Sequence, residues 1–456
     1  MPEERIEGRL EERIEEWRSW LARRPAIAGA DVEELEDHLR SQVRELEAAG
    51  LAEDEAFLVA VKRLGDLDAL SREFAHEYSE RLWKQLVVGP EAGALAAESR
   101  REAWVAVGLA TAAAAAVKLP ELFGRSLAGG DETFYARNLA LLVLPLLAVF
   151  FAWKRGLDRV PLAWIGGLFA AGAAFVNLFP FAAGSHTGIL AALHLPIALW
   201  LTVGVAYAAG RWRDPAWRMN FVRFSGEWFV YYALIALGGG VLTAFTLFVF
   251  ETIGLDAGRF VGSWLLPCGA AGAVVIAAWL VEAKQSVVEN MAPVLARLFT
   301  PLFTLLLLVF LGTVVATGNP LDVGRELLIG FDLLLVLVLG LLLYAISARD
   351  PRVPAGPFDA LQLGLVVAAL AVDALALWAI ASRIHAFGWS PNKVAALGEN
   401  LVLLVNLAGA AWLYARFLRG RVPFVALERW QTAYLPVFAL WAWIVVAIFP
   451  LVFGFR

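Results

Sequence analysis

Beyond about residue 100 the chain alternates long apolar runs with short polar connections, and each run is long enough to cross the roughly 30 Å of hydrocarbon in a bilayer. Eleven such runs can be marked, at 103–123, 134–153, 161–182, 188–209, 227–250, 259–281, 294–316, 327–347, 360–382, 397–418 and 431–453. No gap between them is wide enough for a second soluble domain. Ahead of them the pattern changes. Apolar positions there recur every three to four residues among Glu and Arg, which marks amphipathic helices. Ile6, Leu10, Ile14, Trp17 and Leu21 form one stripe; Val32, Leu35, Leu39, Val43 and Leu46 form a second, opened by Asp31 and Glu34 and stopped at Gly50. Phe57, Ala60, Val61 and Leu64 make a third, and past Gly65 and Asp66 a fourth carries Leu67, Leu70 and Phe74. Stripes this narrow do not sustain isolated helices. The pattern therefore predicts an all-α protein: a small four-helix bundle over 1–100, then a polytopic transmembrane helical bundle of about eleven spans over 101–456.

Composition sharpens this division. Hydrophobic residues make up 60% of the chain and charged residues 18%, with a mean hydropathy of +0.66; a soluble domain carries about 25% charged residues. The bilayer is the expected surrounding of most of the chain. Residues 1–100 carry a net charge of −10 and the remainder +5. The opening "MPEERIEGRLEERIEEW" is too charged for a secretion signal, so the N-terminus is expected in the cytoplasm. Basic residues agree. Loops on that side hold Lys154, Arg155, Arg211, Arg213, Arg349, Arg352, Arg419 and Arg421 among others, against Arg125, Arg137, Arg259, Arg325, Arg383 and Lys393 opposite, a bias of about two to one. One miscounted span would move the C-terminus to the other side. In "RDPAWRMNFVRF", Trp217, Phe221 and Phe224 share a face beside arginines, which suits a helix in the headgroup layer; a plain basic connector is the alternative. Many of the eighteen tryptophans fall near span ends, where aromatic belts form. A single cysteine, Cys268, excludes an internal disulfide.

The stretch "ELEDHLRSQVRELEAAGLAEDEAFLVAVKRLGDLDAL", residues 34–70, resembles the permease prefix domain, a helical module ahead of bacterial membrane proteins that include transporter permeases. The shared features are Glu34, His38, Leu39, Gly50, Glu55-Ala56, Ala60 and Gly65-Asp66. The resemblance covers roughly the first 85 residues and implies a cytoplasmic accessory or regulatory module in a multi-pass protein of the bacterial inner membrane. His38 and His76 are read as structural. Around "SRIHAFGWSPNKVAALGENLVLL", residues 382–404, the chain also resembles a family of multi-spanning bacterial membrane proteins of unknown function, which implies architecture and no chemistry. Exporter-type permeases with this prefix have few spans around a large extracytoplasmic domain. The eleven-span body departs from them, and ATP-driven export is not implied.

Polar residues at membrane depth are the candidate functional positions, because an ionisable group in hydrocarbon is costly to keep. Asp373 lies mid-span in "LGLVVAALAVDALALWAIAS", on a face with Gln362, Ala369 and Ala376. Across the hairpin centred near residue 389, Asn406 matches it in depth, on a face with Glu399, Gly409 and Ala410. An Asp373–Asn406 contact is expected, with Glu399 and Arg383 nearer the outer mouth. Three roles stay open: a titrating group of a proton- or cation-coupled transporter, an interhelical clamp of about 0.6–2 kcal/mol, or a sensor that repositions helices. Asn177 and His194 match in depth across the 183–188 turn and are placed to hydrogen-bond, while Asp332 shares a face with Arg325, its expected ion-pair partner. Gly238, Gly239 and Gly240, and Pro267 with Gly269, fall mid-span as candidate helix breaks of the kind that form transporter binding sites.

No P-loop, HExxH, GxSxG, CxxC pair or EF-hand loop occurs. An enzyme is not expected, nor a metal, a cofactor or a nucleic-acid partner. The leading expectation is a transporter-like, permease-related integral membrane protein whose acidic prefix regulates it or docks a cytoplasmic or membrane partner. The alternative is a non-transporting signalling receiver or a structural subunit of a larger membrane complex.

Overall fold

A computed structural model describes residues 10, 13–15, 17–18, 29–65, 90–283, 291–317 and 325–456. Ile6, Leu21, His76 and the fourth amphipathic stripe lie outside the described residues. Among those described there is no strand, and the chain divides into two compact units, Met1–Arg100 and Arg101–Arg456.

In the first unit, α1 (Gly29–Ala48) and α2 (Glu53–Gly65) pack with helical turns at residues 13–15 and 17–18. The apolar stripes meet: Ile14, Trp17, Leu39, Val43, Ala56, Phe57 and Ala60 are buried together. Gly50 takes a φ of +96°, which a side chain would resist, and the N–H of Leu51 closes α1 on the Leu46 carbonyl at 3.2 Å. Arg13 pairs with Asp54, and Glu36 accepts from Arg40 at 3.0 Å. His38 is exposed.

The second unit is an integral membrane protein with, among the described residues, eleven helices long and apolar enough to span, each overlapping its sequence-predicted run, the fifth starting twelve residues earlier than expected, at Pro215. They are α3 (Pro90–Lys118), α4 (Glu132–Lys154), α5 (Arg159–Leu178), α6 (His186–Tyr207), α7 (Pro215–Thr252), α8 (Leu266–Ala283), α9 (Met291–Thr317), α10 (Arg325–Ser347), α11 (Pro357–Phe387), α12 (Pro391–Leu418) and α13 (Val425–Ala447). Two apolar cores organise them. One joins α4, α5, α6 and the start of α7; the other joins α10 to α13.

Two sequence expectations are corrected here. The basic aromatic segment is not an interfacial helix. It forms the first turns of α7, where Asp214 caps the Ala216 N–H at 2.9 Å and Pro215 starts the helix. Phe221 and Phe224 are buried against Tyr207, Trp200 and Phe151, because burying aromatic area outcompetes leaving it at a surface. Nor does α7 break at Gly238–Gly240. It runs through them for 38 residues, since an unwound turn in hydrocarbon would orphan backbone groups at a greater cost than glycine's weak helix propensity.

The Pro267–Gly269 break is also displaced. The helix continues through Pro267 and Gly269, and the irregularity is a π turn at Val261–Leu265 just ahead of them. Proline has no N–H to give the carbonyl four residues back, which is Ser263. Lys118 supplies the donor instead: its Nζ lies 2.7 Å from the Ser263 oxygen, 4.4 Å from the Trp264 ring centre, and pairs with Glu121.

Close backbone approach sets the seam between α12 and α13. A Cβ at Gly398 would fall inside the Trp441 indole, and one at Gly409 inside that of Trp430. The two glycines and the two tryptophans are each eleven residues apart, so both contacts lie on one antiparallel seam. At one end of the unit, Asp359 accepts both Arg349 Nε at 2.8 Å and Nη2 at 3.0 Å, and caps the Gly356 N–H at 2.8 Å. Elsewhere Glu282 is buried against Arg155 at 2.8 Å and Lys154 at 3.3 Å, and Lys154 also pairs with Glu102.

Candidate functional site

The helical spacing on α11 places Gln362, Ala369, Asp373 and Ala376 on one face, and all four are buried. Asp373 has no exposed surface at all, and neither of its carboxylate oxygens has a hydrogen-bond partner. The expected hydrogen bond to Asn406 does not form. Asn406, equally buried, turns its amide to α13 and donates Nδ2 to Gln431 Oε1 at 3.0 Å. Depth matching across a hairpin sets the level of a side chain but not its direction, and the α12–α13 seam captures this one. Trp430 reinforces the seam by donating Nε1 to the Asn406 backbone oxygen at 3.0 Å. Asn406 Oδ1 and Gln431 Nε2 are left without partners.

A second acid joins from α10. Asp332, half-buried, accepts from Asn400 Nδ2 at 2.9 Å; the side chain of Arg325, its expected partner, lies outside the described residues. Asp332 is near enough to act electrostatically on both Asp373 and Glu399. Glu399 makes no hydrogen bond or ion pair with any described residue. The grouping is therefore three carboxylates on three adjacent helices, one of them bonded by the Asn400 amide. Gln362 lies on the same face of α11, bonded to Thr300 Oγ1 at 2.9 Å, with its oxygen unpartnered. Arg383 lies ten residues beyond Asp373 on α11, about 15 Å at the helical rise.

The chain matches no family model, no curated protein and no solved structure. Carboxylates and amides in an apolar surround can hold or exchange a cation or a proton. Among the described residues no three His, Cys, Asp or Glu side chains are placed to hold one metal ion.

The other depth-matched pair is also corrected. Asn177 bonds reciprocally with Asn138, at 2.7 and 3.0 Å, and His194 Nδ1 lies 2.9 Å from the Leu190 carbonyl of its own helix. An amide finds two bonds in another amide and only one in an imidazole, so Asn138 wins. The residues that sequence reasoning missed, Asn138, Asn400 and Gln431, share one signal: each is an amide inside an apolar run.

Proposed function

We propose that the chain is a transporter-like protein of a bacterial inner membrane, coupled to protons or to a small cation through Asp373 with Asp332 and Glu399. The observation that carries this reading is the Asp373 carboxyl, wholly buried in the core formed by α10 to α13, with both oxygens unpartnered. A clamp needs a partner, and an acid without one destabilises the fold, by several kcal/mol if ionised. Retention for exchange with a passing ion accounts for it. Arg13–Asp54, Glu36–Arg40 and the small core give the acidic N-terminal unit a fold of its own, which, with the resemblance of residues 34–70, favours a regulatory or docking role on the cytoplasmic side.

Proteoliposomes containing a pH dye test this. An imposed cation gradient should move protons in wild type, and Asp373→Asn should reduce the rate about tenfold or more, as expected for loss of an intramembrane proton carrier. Absence of flux under every gradient would sink the reading.

A second reading, a subunit of a larger membrane assembly, is favoured by α7. No residue in its most apolar stretch is buried, and Gly238, Gly239 and Gly240 present open backbone there. Small residues of this kind let a second helix approach closely.

A further inference from the structure

A recess of about 1560 Å³ in the membrane unit lies among α4, α6, α7, α8, α9, α10, α12 and α13. That exceeds the roughly 300–1,000 Å³ of an ordinary ligand pocket. Its wall is overwhelmingly apolar and rich in rings, among them Trp228, Phe299, Phe438 and Trp441. The charges on that wall are all of one sign. Glu132 and Glu399 line it, and no lysine or arginine does among the described residues. His194 also lines it, with its Nδ1 engaged by the Leu190 carbonyl. Two polar atoms on the wall are buried and lack partners: the hydroxyl of Tyr344, a residue nine-tenths buried, and Nε1 of Trp441.

These features select a ligand. A phospholipid headgroup or other anion would meet two carboxylates and no countercharge. A metal ion would have to shed water for a wall of hydrocarbon. A hydrophobic cation satisfies each part, with its apolar body against the rings, its charge over aromatic faces and near an unpaired carboxylate. Glu399 is also where the recess meets the acid group, because Asp332 acts on Glu399 and Asp373 alike. A cation arriving at Glu399 changes the field at Asp332, the acid that also acts on Asp373.

We propose that this recess binds an amphipathic organic cation, a bulky lipophilic amine or onium ion, with Glu399 as its countercharge. The inference deepens the transport reading, from which it takes its meaning as a substrate site, but binding can be measured apart from flux.

Equilibrium dialysis of the full chain in nanodiscs, corrected for lipid-only discs, tests it with two ions of nearly the same shape and opposite charge. Tetraphenylphosphonium should bind saturably, about tenfold or more tighter than tetraphenylborate, and Glu399→Gln should abolish about that preference. Gly340 lines the recess and a Cβ there meets no atom within 4 Å, so Gly340→Leu adds bulk at the wall and should weaken binding of the cation even if Glu399→Gln fails to fold. Equal affinity for the two ions, or wild-type affinity in both variants, would overturn the proposal. Saturable cation binding without proton flux would keep this site and remove the transport reading; flux without cation binding would remove this site and keep that reading.

Discussion

At the scale of single residues the membrane unit separates polar groups that are satisfied from a few that are not. Lys118 belongs to the first kind. Replacing it by Met leaves the Ser263 carbonyl without the donor that Pro267 cannot supply, and a denaturant titration should show a loss of about 1–3 kcal/mol. Asp131, in the connection ahead of α4, is another. The Arg125 guanidinium at 2.9 Å, and next the Ser126 N–H at 3.0 Å, hold its carboxyl below the ordinary carboxylate value. A depressed value in the folded state contributes stability at pH above the unfolded value of about 3.9, lost as pH falls through the lower folded value. Exchange of the Ser126 amide should accelerate across that acidic window and be fast at every pH in Asp131→Ala; unchanged protection would contradict the assignment. Asp373 is of the second kind, and its burial was legible from sequence. Four positions of α11 at helical spacing, two of them small, already marked a buried face. Its lack of a partner was not legible, because the Asn406 amide is claimed by Gln431 from a helix twenty-five residues away in sequence.

Elements were more legible than contacts, for a physical reason. A run of apolar residues long enough to span leaves the backbone no alternative to helix in hydrocarbon, so eleven helices stand close to where the runs lie. The same rule defeats the expected breaks: Gly238–Gly240 stay helical, and Pro267 is accommodated by a π turn and a lysine from α3. Glycine's role is read better from its neighbours. Gly398→Ala and Gly409→Ala should each destabilise the α12–α13 seam by about 1–3 kcal/mol through overpacking against Trp441 and Trp430. Gly239→Leu, in open space, should leave the unfolding midpoint of the isolated chain unchanged. Light scattering of that variant then decides the role of α7: a fall in mass relative to wild type marks an oligomer seam, and equal mass removes it.

For the molecule as a whole, the membrane unit places an unpaired acid inside the core of α10 to α13, and Asp332, which acts on it, also acts on Glu399 at the wall of a large apolar recess. A bundle kept only for architecture gains nothing from that arrangement, since aliphatic residues of similar size pack as well without desolvating a carboxyl. If Asp373 serves ion exchange, then, its removal relieves the fold while disabling the protein. The thermal unfolding midpoint of Asp373→Asn and Asp373→Leu in one detergent measures this directly. Midpoints equal to or above wild type are predicted, and a fall matching the loss of an interhelical bond, about 1–2 kcal/mol, would show that the acid is there to hold helices together.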